Sequence, residues 1–157
     1  NALEQYIQSF LNIKKYTITH TEFGVIPMTN YIFSKGENRI VNIGTAGGQT
    51  KASSGYTFQF IQKNSAKIIE ALINNKNPLL KETVFEKRFY LYDSILLNVL
   101  SNKKMSGAKL FAQLFKKNSP QTILKFLDNE TNLKEELKIM NSVSLKTFLP
   151  AAIKEML

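Results

Sequence analysis

The sequence predicts an α+β fold that is mainly helical, with a few short strands within residues 16–43 and a helical cap after them. Three observations predict it. Alternating, β-branched segments occur only in the first third of the chain. From residue 54 onward, apolar residues recur at three- and four-residue spacing. Between the two regimes lies one glycine-rich turn, residues 44–56.

The elements follow in order. In residues 3–13, Leu3, Tyr6, Ile7, Phe10 and Leu11 share one helical face, and Lys14-Lys15 closes the segment. Residues 16–22 alternate and read as a strand. Gly24 interrupts the pattern, and Val25-Ile26-Pro27-Met28 continues extended, because a residue before proline avoids the helical region. Residues 31–33 and 39–43 read as short strands joined through the turn-rich spacer 34–38. Ser54 is placed to cap a helix running to about Asn75, where Asn74 through Pro78 stops it. Residues 85–100 form a long apolar helix. Shorter amphipathic helices follow over 108–115, 120–127, 132–140 and 145–156. Ser119-Pro120 is the favoured cap and first-turn pair, and Pro150 is expected to kink the last helix.

A chain of 157 residues suits one domain with a real core. With no cysteine and one histidine, His20, thiolate and multi-histidine metal sites are excluded. No apolar run approaches the ~18 residues that span a bilayer. The expected compartment is the cytoplasm, with contact at the inner face of the membrane as a further expectation. The net charge is +9, yet only Arg39 and Arg88 are arginine. Specific nucleic-acid readers use arginine for its bidentate fork, so no nucleic-acid partner is expected. The lysine excess reads as a solvated surface or as attraction to an anionic membrane.

Three or four short strands are too few for a sheet covered on both faces. Residues 1–157 are therefore expected to be one C-terminal piece of a longer protein, with strands and turn over 3–56 and a helical region over 57–157.

The turn carries the chemistry. Gly44, Gly47 and Gly48 follow a strand, and Gly55 stands at a helix start. Glycine brings backbone amides close to a ligand, and a helix N-terminus offers free N–H groups and partial positive charge. Together they favour a phosphate or the electron-rich edge of a flavin. Thr45, Thr50, Ser53 and Ser54 add hydroxyls. The spacing is neither G-x-G-x-x-G nor a P-loop. On chemistry alone, a tight turn for close helix packing explains it equally well.

Ile43-Gly44-Thr45-Ala46-Gly47-Gly48 followed by Ala52-Ser53-Ser54-Gly55-Tyr56 resembles the second flavin-contacting motif of the lycopene cyclase family. That family is related to the aromatic hydroxylases and geranylgeranyl reductases. Glu22-Phe23-Gly24-Val25-Ile26-Pro27-Met28 is similar to the family's Glu-x-x-x-Ile-Pro-Met/Leu segment. Tyr92-Asp93-Ser94-Ile95-Leu96-Leu97 and Phe126-Leu127-Asp128 sit where relatives carry similar stretches. The chain departs from the family in two residues: Thr45 replaces the Asp of many related flavoproteins, and Ala52 replaces a proline. The G-x-G-x-x-G strand and the family's acidic motif are not in this sequence, and both would lie upstream of Leu3.

The resemblance implies part of a larger FAD/NAD(P)-binding fold that cyclises lycopene. An acid protonates an end-group double bond, a carbocation closes the ring, and a base removes a proton. There is no net redox change, and reduced FAD acts as electrostatic partner. It implies cofactor contacts at Gly44, Thr45, Ala46, Gly47, Gly48, Ser54, Gly55 and Tyr56, and carotenoid contacts at Ile26, Pro27 and Met28. Glu22 is the candidate catalytic carboxylate, its proton affinity raised if buried. His20 shares its strand face. Phe85, Phe89, Tyr90, Tyr92, Phe111, Phe115 and Phe126 read as core or as the lining of a polyene tunnel. Lys103-Lys104 and Lys116-Lys117 flank the stripe Leu110, Phe111, Leu114 and Phe115, which reads as core or as a membrane-dipping face. Two other functions stay open: a related flavin-dependent prenyl-lipid reductase or hydroxylase, and a basic helical module for membranes or nucleic acid. By itself the chain is expected to be inactive and not to retain FAD.

Overall fold

A computed structural model describes residues 2–79, 81 and 83–157. Its element order is α1 (Ala2–Ser9), β1 (Gly36–Glu37), β2 (Ile40–Val41), a 3-10 turn (Gly44–Gly47), α2 (Phe58–Ile73), α3 (Val84–Ser101), α4 (Gly107–Lys117), α5 (Pro120–Leu127), α6 (Leu133–Asn141) and α7 (Leu145–Met156). The expected mainly helical α+β class holds.

The first third departs most from expectation. α1 ends at Ser9 rather than near Ile13. Asn12 takes a left-handed φ of 56°, and the Leu11 and Ile13 amides turn back to the carbonyls of Tyr6 and Ile7. Residues 16–22 form no strand. Their alternation is real, but a strand needs a hydrogen-bonding neighbour, and among the described residues only β1 and β2 pair. The hairpin is also displaced. Gly36 pairs with Val41 and Glu37 with Ile40, so the turn is Asn38-Arg39 and residues 31–33 lie outside it. Asn38 tolerates the left-handed φ of 54° required there.

The helical half follows its sequence signals closely. Thr83 and Glu86 form a capping box at the start of α3, and Asn132 and Glu135 form another at α6. Ser119 caps α5 with Pro120 in its first turn. Pro150 lies inside α7 without ending it. Replacing Asn132 by alanine should cost about 1 kcal/mol, visible as a lower urea midpoint with an unchanged slope.

The core joins α4, α5 and α6 through Leu110, Leu114, Ile123, Leu127 and Ile139, with Leu96, Met105 and Phe148 packed against it. Leu110 and Leu114 of the stripe are therefore core and Phe111 packs against them, while Phe115 stays exposed. α3 and α7 make the most extensive helix–helix contact. In contrast, α2 buries none of its residues completely.

Candidate functional site

Residues 44–56 fold as two linked turns. In the first, the Gly44 amide donates to the Gln49 side-chain carbonyl at 2.9 Å, and the Gln49 amide donates back to the Gly44 carbonyl at 2.9 Å. In the second, the Lys51 amide donates to the Tyr56 carbonyl at 2.6 Å, while the Ser54 and Gly55 amides donate to the Lys51 carbonyl. This second turn displaces the helix start. Ser54 accepts from the Tyr56 amide instead of capping a helix, and Thr57 stands at the α2 cap position. Thr57 turns its hydroxyl to the Gly55 carbonyl, so α2 has no side-chain cap.

Most of the glycines serve the chain's own packing. A Cβ on Gly47 would lie 2.2 Å from the Asn42 carbonyl oxygen, so only glycine fits. Gly48, at φ 67°, is pressed by Phe33 and by the Lys35 ammonium, which donates to the Gly47 carbonyl at 3.1 Å. Gly44, at φ 63°, differs: a Cβ there would meet only Ile61 Cδ1, at an ordinary contact distance of 3.8 Å. Thr45, Ala46 and Tyr56 are exposed, and Ser54 is half-buried. The accessible edge of the turn is therefore Thr45-Ala46, with Gly44 half-buried beside them.

The two resembling segments meet. Ile26 Cγ2 would stand 3.2 Å from a Cβ on Gly55. Pro27 lines a cavity of about 20 Å³ together with Thr45, Gly48 and Thr50. Asn30 reaches Ser94 of α3 at 3.3 Å. Met28 is exposed. Glu22 and His20 are exposed and make no hydrogen bond or ion pair among the described residues. Nothing in the described chain supplies the burial that would strengthen Glu22 as a proton donor.

Beneath the turn lies a cluster that sequence reasoning missed. The Lys51 ammonium sits 2.8 Å from Asp93 Oδ1 and donates to Asn129 Oδ1 at 2.7 Å; its side chain is 0% exposed. Ser53 donates to the same Asp93 oxygen at 2.5 Å. Two rings flank the cation, Phe89 at 5.3 Å and Phe126 at 5.6 Å. Burial holds this lysine below its ordinary value, with the Asp93 carboxylate opposing that shift. One signal was available: Asp93 interrupts the apolar run of α3, and a carboxylate there needs a partner.

Phe85, Phe89, Tyr92 and Phe126 adjoin this cluster, while Phe111 packs against the α4–α6 core and Phe115 is exposed. Phe89 packs against Phe85, Tyr92 and Phe126 at centroid distances of 5.4–6.0 Å. Lys51 and Arg88 are the cations within their reach, Arg88 lying 3.6 Å from the Phe85 ring centroid, and Phe89 is fully buried. One turn along α3, Arg88 makes a forked pair with the buried Glu136, which also accepts from Tyr92 at 2.9 Å and from Thr131. A cleft of about 380 Å³ opens between the turn, α2, α3 and residues 128–130. Two ion pairs line it, Lys63–Glu130 at 2.6 Å and Lys67–Glu86 at 3.6 Å.

A flavin fits part of this arrangement. The exposed Thr45-Ala46 edge and the uncapped first turn of α2 offer amides and the Thr45 hydroxyl to an electron-rich edge, whereas the Gly44 amide is already bonded to Gln49. Gly47, Gly48 and Gly55 are occupied by their own neighbours and act as shape. The family model described as lycopene cyclase protein matches residues 1–154. No curated protein and no solved structure matches the chain.

Proposed function

We propose that this chain, which belongs to the lycopene cyclase family, forms the part of a flavin-dependent cyclase that presents a flavin-holding turn to a carotenoid end group. Family membership supports a lycopene-cyclase-like role in carotenoid biosynthesis and a carotenoid substrate. The finer reading rests on one observation above all. Ile26 and Pro27 lie against Gly55, Thr45 and Gly48, so two segments separated by about twenty residues converge on one place.

In this reading, Gly44, Thr45 and Ala46 meet the cofactor directly. Gly47, Gly48, Ser54, Gly55 and Tyr56 hold the curvature of the turn. Reduced FAD, when bound, supplies negative charge beside a developing carbocation in a dry site. The α2 N-terminus stabilises negative charge at that position. Ile26, Pro27 and Met28 give the end group an apolar wall. Glu22 is the proton donor in this reading, and the burial this role needs comes from a surface outside the described residues. The exposed apolar side chains of the first third, among them Phe23, Val25 and Ile26, support the reading of the chain as one piece of a larger flavoprotein.

The test is product analysis in lycopene-accumulating cells that express the complete gene. Ring-bearing products are expected, and Glu22→Gln should reduce them at least ~100-fold, in line with loss of a general acid. Unchanged lycopene would defeat the assignment. A reduced, uncyclised product would identify the related reductase activity instead.

A further inference from the structure

We infer that Lys51 and Ser53 are positioning residues for the flavin edge: their shared, buried grip on Asp93 sets where Thr45 and the first turn of α2 stand. The inference rests on the flavin reading of the turn and adds to it the device that aims the turn.

The grip acts at two points of one short segment. Lys51 Nζ lies 2.8 Å from Asp93 Oδ1, and Ser53 Oγ donates to the same oxygen at 2.5 Å. Asn129, in the left-handed conformation after α5, accepts from Lys51 at 2.7 Å. Anchors at residues 51 and 53 fix the rotation of the segment as well as its place, because a twist that kept one bond would break the other. The residues beside and between the anchors carry that placement outward. Ala52 lines the small cavity shared by Pro27, Thr45 and Gly48. The Thr50 hydroxyl stands 3.5 Å from the Thr45 hydroxyl and 3.2 Å from that of Thr57, at the α2 cap position. Both groups offered to the flavin, the Thr45 edge and the start of α2, are thus referred to one carboxylate on α3.

Stability does not explain the choice of charged residues. A buried ion pair costs desolvation of both partners, and an apolar pair of similar volume often packs as stably. The flanking Phe89 and Phe126 rings suit such a pair. An apolar pair lacks direction, however. Its contacts tolerate a slide of the segment, whereas charge-assisted hydrogen bonds hold donor and acceptor in one geometry. Registry is the best-attested use of a buried polar pair, and here it falls on the segment beneath the flavin edge.

The complete protein carrying K51M/D93L tests this, with FAD as the probe and urea unfolding to check that stability stays near the parent's. In the flavin-free protein, the amides of residues 44–56 should exchange hydrogen about tenfold or more faster, while those of α4–α6 exchange as in the parent. FAD affinity, read from flavin fluorescence, should fall by about tenfold as well, since only molecules with the turn in place bind. Ser53→Ala leaves both charges paired and carries the test if the double variant does not fold. It should shift both readouts the same way by about fivefold, the scale of one hydrogen bond. Unchanged exchange over 44–56 overturns the inference, as does faster exchange with unchanged FAD affinity. Equal acceleration in α4–α6 also overturns it, because the cluster then serves stability alone. A parent that binds no FAD, with exchange over 44–56 still accelerated in the variant, sinks the flavin reading and leaves the positioning of the turn standing.

Discussion

Asp93→Ala should destabilise the chain by about 3–5 kcal/mol, the scale for removing one partner of a buried ion pair. Lys51 and Asp93 are 0% and 8% exposed at the side chain, so water cannot replace the lost carboxylate. The loss also strands the Ser53 hydroxyl, whose 2.5 Å bond ends on the same oxygen. The expected readout is a large fall in the urea midpoint. The double variant K51M/D93L should recover most of it, because an apolar pair of similar volume removes both charges and suits the adjoining Phe89 and Phe126 rings. A loss below ~1 kcal/mol in D93A, the range of exposed pairs, would mean that the cluster is hydrated. The pair ties the glycine turn to α3, with Asn129 adding the α5–α6 connection. The turn's position relative to the helical half therefore depends on it.

Glu136→Ala is expected to cost about 3 kcal/mol, the lower end for a broken buried pair, because Arg88 is 22% exposed and can partly rehydrate. Three donors lose their acceptor at once: Arg88, Tyr92 and Thr131. The same site predicts an alkaline limb. Burial, and then the hydrogen bond to Glu136, pushes the Tyr92 hydroxyl from 10.0 up to about 12. A folded value above the unfolded one means that Tyr92 contributes stability fully below pH 10. That contribution is lost as pH rises from 10 toward about 12. Urea midpoints measured across this window should fall more steeply for the parent than for Tyr92→Phe. Parallel curves would show that Tyr92 ionises freely.

The helical half was legible because its signals are local. Ser119-Pro120, Thr83 with Glu86, and Asn132 with Glu135 satisfy helix-end amides within three residues of themselves. Residues 120–127 were therefore placed to the residue. The strands failed for the opposite reason. Alternation over 16–22 states a preference for a sheet, but pairing requires a second segment, and β1 pairs only with β2. Ser54 has the residue type of a helix cap, but Gly55, at φ 75°, breaks the helical path one residue later.

The candidate site divides along the same line. The glycines, Glu22 and the Ile26-Pro27-Met28 segment could be named from order and spacing. Which glycines face outward could not, since Asn42, Phe33 and Ile26 reach them from other parts of the chain. By itself, the sequence determined the helical class, the family-like turn and the absence of thiol chemistry, all consequences of composition and short-range spacing. Tertiary structure alone decided that Lys51 lies buried against Asp93, 42 positions away in the chain, and that Thr45-Ala46 is the exposed edge of the turn. Burial and pairing are properties of distance in space, and spacing along a chain carries them only where a helix turns the one into the other.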